Sequence, residues 1–154
     1  MKTIIYFAAL LFLFILFSCS KNSGENGFNR EASFPEALMD KVSGLKVINS
    51  SINRKRHTTS LLYGNQKAVE RIKTNSLNMQ KGEKFVWITW SQQPDPNWFG
   101  AYIPGMLLSF EIIESKETIE YRKFTANGMQ VKEDAINNMR RIQVLIKQKM
   151  NVTP

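Results

Sequence analysis

One histidine and one cysteine bound the side-chain chemistry open to this chain of 154 residues. A lone cysteine excludes an intrachain disulfide, a CxxC redox pair, a cysteine-rich zinc site and a CxxCH haem-attachment motif. A lone histidine excludes any metal site that needs two imidazoles, and no metal site is predicted. His57 has the chemistry of a general base, a single axial ligand or a pocket hydrogen-bonder. The competing reading is a structural histidine that joins the first strand to its neighbours, and it is favoured because no serine, cysteine or metal partner is identifiable. Trp87, Trp90 and Trp98 could wall a ligand cavity, although aromatic residues more often fill a core. Tyr63 and Asn65 flank Gly64 and complete the candidate pocket set. Gly64-Asn65 could offer backbone donors to an anion, but a turn is the default reading. Asp95, held between Pro94 and Pro96, reads as a turn residue rather than an acid catalyst.

Cys19 is placed where a thiol has a different use. Lys2 gives a short positive start, and Ile4 to Phe17 is an unbroken apolar and aromatic run. That run is shorter than the ~20 apolar residues of a spanning helix. It ends in Leu16-Phe17-Ser18-Cys19, which resembles the lipobox of bacterial lipoproteins. The resemblance implies cleavage before Cys19 and acylation of its sulfur. Residues 1–18 are then a signal peptide. Residues 19–33 are a lipidated N-terminus and flexible tether rich in Ser, Asn and Gly, and residues 34–154 are the domain. The expected location is the bacterial cell envelope, anchored through acyl chains such as palmitate on Cys19, facing the periplasm or on the outer membrane.

The charge is strongly positive: 21 lysines and arginines against 13 acids, a formal +8. Nucleic acid is a poor partner for an exported chain and is not expected. Anionic lipid head groups suit the basic Asn53-Arg54-Lys55-Arg56 stretch and the basic tail better, though a solvated face is the simplest account of both.

These residues must be positioned by a small set of elements. Ser33-Phe34-Pro35-Glu36 reads as a helix start with Ser33 as cap, and Gly44 ends that helix. Leu45 to Ile48 is a short apolar stretch, and Asn49 to Arg56 is polar and basic. Thr58 to Tyr63 has strand composition. Asn65 caps a helix carrying Ala68, Val69 and Ile72. Lys84 to Gln92 is the most strand-like run, with Phe85, Trp87 and Thr89 on one face and Val86, Ile88 and Trp90 on the other. Gln93 to Asn97, with two prolines, and Pro104-Gly105 read as turns. Met106 to Glu114 and Thr118 to Phe124 are strands. The tail from Glu133 is a helix with an apolar stripe of Ile136, Met139, Ile142, Leu145 and Ile146, and with Arg140, Arg141, Lys147 and Lys149 in solvent. Three or four antiparallel strands with helices at both ends make an α+β domain.

Two strings carry a resemblance. One is Arg56-His57-Thr58-Thr59-Ser60-Leu61-Leu62-Tyr63-Gly64-Asn65. The other runs Val86-Trp87-Ile88-Thr89-Trp90-Ser91-Gln92-Gln93-Pro94-Asp95-Pro96-Asn97-Trp98-Phe99-Gly100-Ala101-Tyr102-Ile103-Pro104-Gly105. Together they resemble the cytochrome P-460 domain family over nearly all of the chain from Phe34 onward. The resemblance implies an α+β domain built on an antiparallel sheet, in the envelope. Haem-bearing members of that family attach a c-type haem through a C-terminal CxxCH and act on hydroxylamine or other nitrogen species. The C-terminal stretch here has neither cysteine nor histidine, so covalent haem is excluded and any non-covalent ligand is unnamed.

The function expected from the sequence is therefore an envelope lipoprotein whose P-460-like domain binds a small or apolar ligand. The alternatives are an envelope enzyme using His57 as acid/base, or an interaction subunit of an envelope complex.

Overall fold

A computed structural model describes residues 29–76 and 78–151. The apolar run from Ile4 to Phe17 and Cys19 lie outside the described residues. No helix among the described residues is long and apolar enough to cross a membrane.

The fold is α+β. Its frame is a six-stranded antiparallel sheet in sequence order. The strands are β1 (Lys46–Asn53), β2 (Thr58–Gly64), β3 (Lys84–Pro94), β4 (Tyr102–Ser115), β5 (Ile119–Thr125) and β6 (Gln130–Val131). Helix α1 (Gln66–Lys73) connects β2 to β3, and α2 (Ala135–Ile146) follows β6. Two 3-10 helices, Arg30–Ala32 and Glu36–Lys41, precede the sheet. Period-two alternation splits the sheet's side chains between two cores. Phe85, Trp87 and Ile113 pack with Leu62 under α1 and α2. Val86, Ile88, Trp90, Phe110 and Ile112 pack on the opposite face against Phe34, Leu38 and Val42. Phe110 is the pivot of this second core: it meets Phe34 edge-on at 5.4 Å and stacks on Phe124 at 4.7 Å.

Several elements differ from the sequence expectation. The first helix is not an α-helix capped by Ser33: Pro35 precedes a six-residue 3-10 helix, with no side-chain cap. The chain is also packed upstream of Phe34, inside the stretch read as tether. Asn29 Nδ2 donates to the Pro104 carbonyl at 2.5 Å, and the Ala32 carbonyl accepts from Trp90 Nε1 at 2.8 Å. The polar run from Asn49 belongs to a strand. Its composition hides this because β1 is an edge, with a bulge between Val47 and Asn49. The C-terminal tail closes that edge. Asn49 Nδ2 donates to the Lys149 carbonyl at 2.6 Å, and Asn151 Oδ1 accepts from Ser50 N at 2.9 Å. Backbone bonds to β2 and to the tail hold the polar half of this strand, and its apolar half is held by Ile48, fully buried in the helix-face core.

Pro104-Gly105 is not a turn. Both lie within β4, where Pro104 faces Gln92 across an irregular register. A Cβ on Gly105 would stand 2.7 Å from Ser91 Oγ, so glycine there admits a close neighbour. Helix α2 buries only Ile142 and Leu145 fully, and Ile136 and Met139 are 67% and 60% exposed. The apolar stripe is real, but only its C-terminal part lies over the sheet. Arg141 is not in the solvated set, because it turns inward to a carboxylate.

Candidate functional site

The six residues singled out in the sequence do not form one pocket. Alternation along β3 puts Trp87 under the helices and Trp90 on the far face, where Tyr63 also packs. Burial raises the Tyr63 phenol above its ordinary value. Trp90 pins the first 3-10 turn through its indole N–H. Asn65 is the cap of α1: its side-chain oxygen accepts from Ala68 N at 3.1 Å and Lys84 N at 3.2 Å. Its amide donates to the Gly82 carbonyl at 2.7 Å, so its polar groups are spent on the fold. Trp98 is 72% exposed on the β3–β4 connection. His57 sits in the β1–β2 turn with φ of 50°, the left-handed region. Its carbonyl accepts from Gln92 N at 2.8 Å, while its imidazole makes no hydrogen bond among the described residues. The joining role expected of it runs through its backbone.

What the sheet does assemble, on the helix face, is a buried carboxylate with a cation and a phenol. Glu111 points inward from β4 and its side chain is 5% exposed. Arg141 reaches down from α2 and grips it with two bonds, Nε to Oε2 at 2.6 Å and Nη2 to Oε1 at 2.7 Å. Tyr121 on β5 donates its hydroxyl to Oε2 at 2.7 Å. Such a fork matches the planar geometries of guanidinium and carboxylate. Burial pushes the Tyr121 phenol well up, and the charge of Glu111 adds to the shift. Burial alone opposes the Arg141 charge, but the bonds and charge of Glu111 outweigh it and leave Arg141 raised. The guanidinium also lies 5.6 Å from the Trp87 ring centre.

Beside this cluster the sheet and α2 enclose a groove of about 230 Å³. Ser60 and Thr89 lie on its floor with their hydroxyls 3.0 Å apart. Trp87 forms a wall, Arg141 one rim, and Arg56 with Thr58 the other. Ser51, Asn53 and Gln148 add further polar groups. Among the described residues Arg56 has no acidic partner, and Arg141 keeps Nη1 unspent after its two bonds to Glu111. A paired serine and threonine can donate only one hydroxyl to each other, so a second hydroxyl hydrogen is available to a ligand. Two guanidinium groups and two hydroxyls around a small hollow are a donor-rich, anion-seeking set.

A second buried ion pair marks a contrast. Arg71 Nε meets Glu83 Oε2 at 2.7 Å, with side chains 4% and 1% exposed. The other Arg71 nitrogens donate to the carbonyls of Ser76 and Ile146, and Glu83 Oε1 accepts from Gln80 N. Each of the three Arg71 nitrogens is engaged in tying α1, the 74–83 connection and the end of α2 together. That pair is a staple, whereas Arg141 opens onto a groove.

Glu111, Tyr121, Ser60 and Thr89 were not singled out in the sequence, and Arg56 and Arg141 were read only as parts of basic, solvated faces. The one available signal was Glu111 itself, an acid between Phe110 and Ile112 in a strand with apolar residues on both faces. A charge there must be paired.

Compared with known proteins, the chain matches no family model and no curated sequence. Likeness to the cytochrome P-460 domain accordingly rests on the two strings quoted above.

Proposed function

We propose that this chain is a lipid-anchored protein of the bacterial envelope whose P-460-like domain binds a small anion, with no covalent haem, in the groove between the sheet and α2. The observation that carries the binding reading is the convergence of Arg56 and Arg141 with the Ser60 and Thr89 hydroxyls on one hollow of about 230 Å³. A volume of that size suits an oxyanion or a short carboxylate better than a bulky apolar ligand. Trp87 excludes water from one side and so strengthens each charge-assisted bond. The anchoring reading is supported by the position of Cys19 directly after Leu16-Phe17-Ser18.

Enzymatic use of His57 has less support. The imidazole stands at a turn with no hydrogen-bonded carboxylate, hydroxyl or thiol among the described residues. A general base needs a second group to orient it.

Titration of the full chain in mild detergent with inorganic phosphate, nitrite and acetate tests the binding reading by calorimetry. At least one anion should bind, and Arg56→Gln should weaken it about tenfold, the worth of one charge-assisted bond. Absence of binding by all three, or equal binding by Arg56→Gln and the unaltered chain, would remove the groove as the site. Palmitate labelling tests the anchor separately: Cys19→Ser should abolish the label, and an intact Met1 in mass spectra of the purified protein would overturn acylation.

A further inference from the structure

The two hairpin connections at one end of the sheet carry an unpartnered mixture of large apolar and basic side chains. At the β3–β4 connection Phe99 is fully exposed and Trp98 is 72% exposed, and Tyr102, the first residue of β4, is 59% exposed. Near the end of β1 Ile52 is 66% exposed, and the β1–β2 connection carries Arg54, Lys55 and Arg56. The two connections adjoin: Gln92 N donates to the His57 carbonyl at 2.8 Å, and Ile52, Arg54, His57 and Tyr102 share one hollow. Arg54 and Lys55 stand there, with Arg56 shared with the groove, and the one acid within the two connections is Asp95, which is engaged with Asn97 N at 2.8 Å. Tryptophan and tyrosine beside basic residues are the composition of a membrane interface, where aromatic bodies enter the acyl boundary and cations meet anionic head groups.

The chain enters the fold at this same end. Asn29 is bonded to Pro104, which faces Gln92 across the ladder and lies two residues from Tyr102. Nine residues lie between Cys19 and Asn29, and their ten Cα–Cα steps reach no farther than about 35 Å even fully extended. An acylated Cys19 would therefore hold the aromatic end of the sheet within that distance of the bilayer. This orientation argument rests on the proposed acylation; the composition of the tip does not.

From these observations we infer that the paired hairpin tips, with Trp98 and Phe99 foremost, dock into an anionic lipid surface. The bilayer is thus contacted by the folded domain as well as by the anchor.

Tryptophan quenching in vesicles reads the tip directly, because Trp87 and Trp90 are only 8% and 7% exposed and act as an internal background. The full chain is reconstituted into phosphatidylglycerol vesicles and into phosphatidylcholine vesicles, each carrying brominated acyl chains. The expected result is a bromine-quenched component in the anionic vesicles that Trp98→Phe removes. Arg54→Gln with Lys55→Gln should shift the equilibrium between inserted and lifted tips on the order of 25-fold, about fivefold per charge removed. Trp98 that stays unquenched by bromine and open to aqueous acrylamide in anionic vesicles overturns the inference. So does Trp98 shielded from acrylamide in native membranes but never quenched by bromolipid, which would assign the tip to a protein partner. Equal quenching in both vesicle types overturns the part given to the cations. Palmitate labelling reports acylation of Cys19 independently, so loss of the anchor and loss of the tip contact give separate signatures.

Discussion

Replacing Arg141 with methionine should destabilise the domain more than replacing Glu111 with glutamine, and the double replacement should be milder than Arg141→Met alone. The asymmetry follows from exposure: the Glu111 side chain is 5% exposed and that of Arg141 is 34%. Arg141→Met strands a carboxylate inside the sheet with only the Tyr121 hydroxyl, 2.7 Å away, to stabilise it. Breaking a fully buried pair costs about 3–5 kcal/mol. Arg141 is one-third exposed and the groove admits water, so the lower end applies, about 3 kcal/mol. Glu111→Gln leaves a cation that can turn into the groove and hydrate, at about 1–2 kcal/mol. In the double variant the glutamine that replaces Glu111 is neutral and still accepts from Tyr121, so most of the penalty of the stranded charge is removed. The coupling between the two positions should then be about 2 kcal/mol or more. For a folded region of this size about 3 kcal/mol corresponds to a fall in Tm of roughly 10 °C. Urea unfolding followed by near-ultraviolet circular dichroism supplies all four free energies at constant pH. Strictly additive single effects, or an Arg141→Met that costs no more than Glu111→Gln, would refute the reasoning. The pair would then be screened like the exposed Lys81–Glu117 contact, with side chains 71% and 85% exposed.

The other expectations concern the tyrosines, the turn histidine and one crowded glycine. Burial raises both Tyr121 and Tyr63, so their stabilising contribution is complete below the unfolded tyrosine value of about 10 and is lost as pH rises above it. Tyr121→Phe should leave the phenolate absorbance step near pH 10 unchanged in the folded protein and should flatten the fall of Tm at higher pH. A smaller absorbance step in the variant would contradict the burial of that phenol. His57→Asn should keep Tm within about 2 °C, since asparagine also accepts left-handed φ and the imidazole has no bond to lose. A drop of many degrees in a melting experiment would show that the ring itself holds the turn. Gly64→Ala should cost about 1–3 kcal/mol in urea unfolding. Its Cβ would fall 2.5 Å from Ile48 Cδ1 and 3.0 Å from Ala68 Cβ, and a neutral effect would mean that the Ile48 side chain turns aside and α1 lifts at little cost.

Much of the frame could be read from short-range pattern. Alternation along Lys84 to Gln92 foretold that Trp87 and Trp90 face opposite ways, because a strand's side chains alternate whatever surrounds them. Asn65 before Ala68, Val69 and Ile72 announced a capped helix for an equally local reason, the unsatisfied N–H groups of its first turn. The α+β class followed from such elements. Local pattern was silent wherever the partner was distant in sequence. The strand from Lys46 to Asn53 looks polar because backbone bonds to β2 and to Asn151, about a hundred residues away, hold it at the edge. Pro104-Gly105 looks like a turn, but a long neighbour, β3, carries the pair straight through as strand.

The charge at position 141 illustrates the same division. Helical spacing places Arg141 beside Arg140 and Lys147 and predicts solvent. Only the crossing of α2 over β4 brings it to Glu111, because a buried carboxylate is stable when a cation reaches it in a geometry that satisfies both its oxygens. The sequence alone determined which residues could be buried, capped or lipidated, since those depend on side-chain type and near neighbours. Which of them meet across the sheet was decided by tertiary structure, because register and helix crossing are set by all the strands together. That is why Trp87 and Arg141 share a groove while His57, Asn65 and Trp98 stand apart.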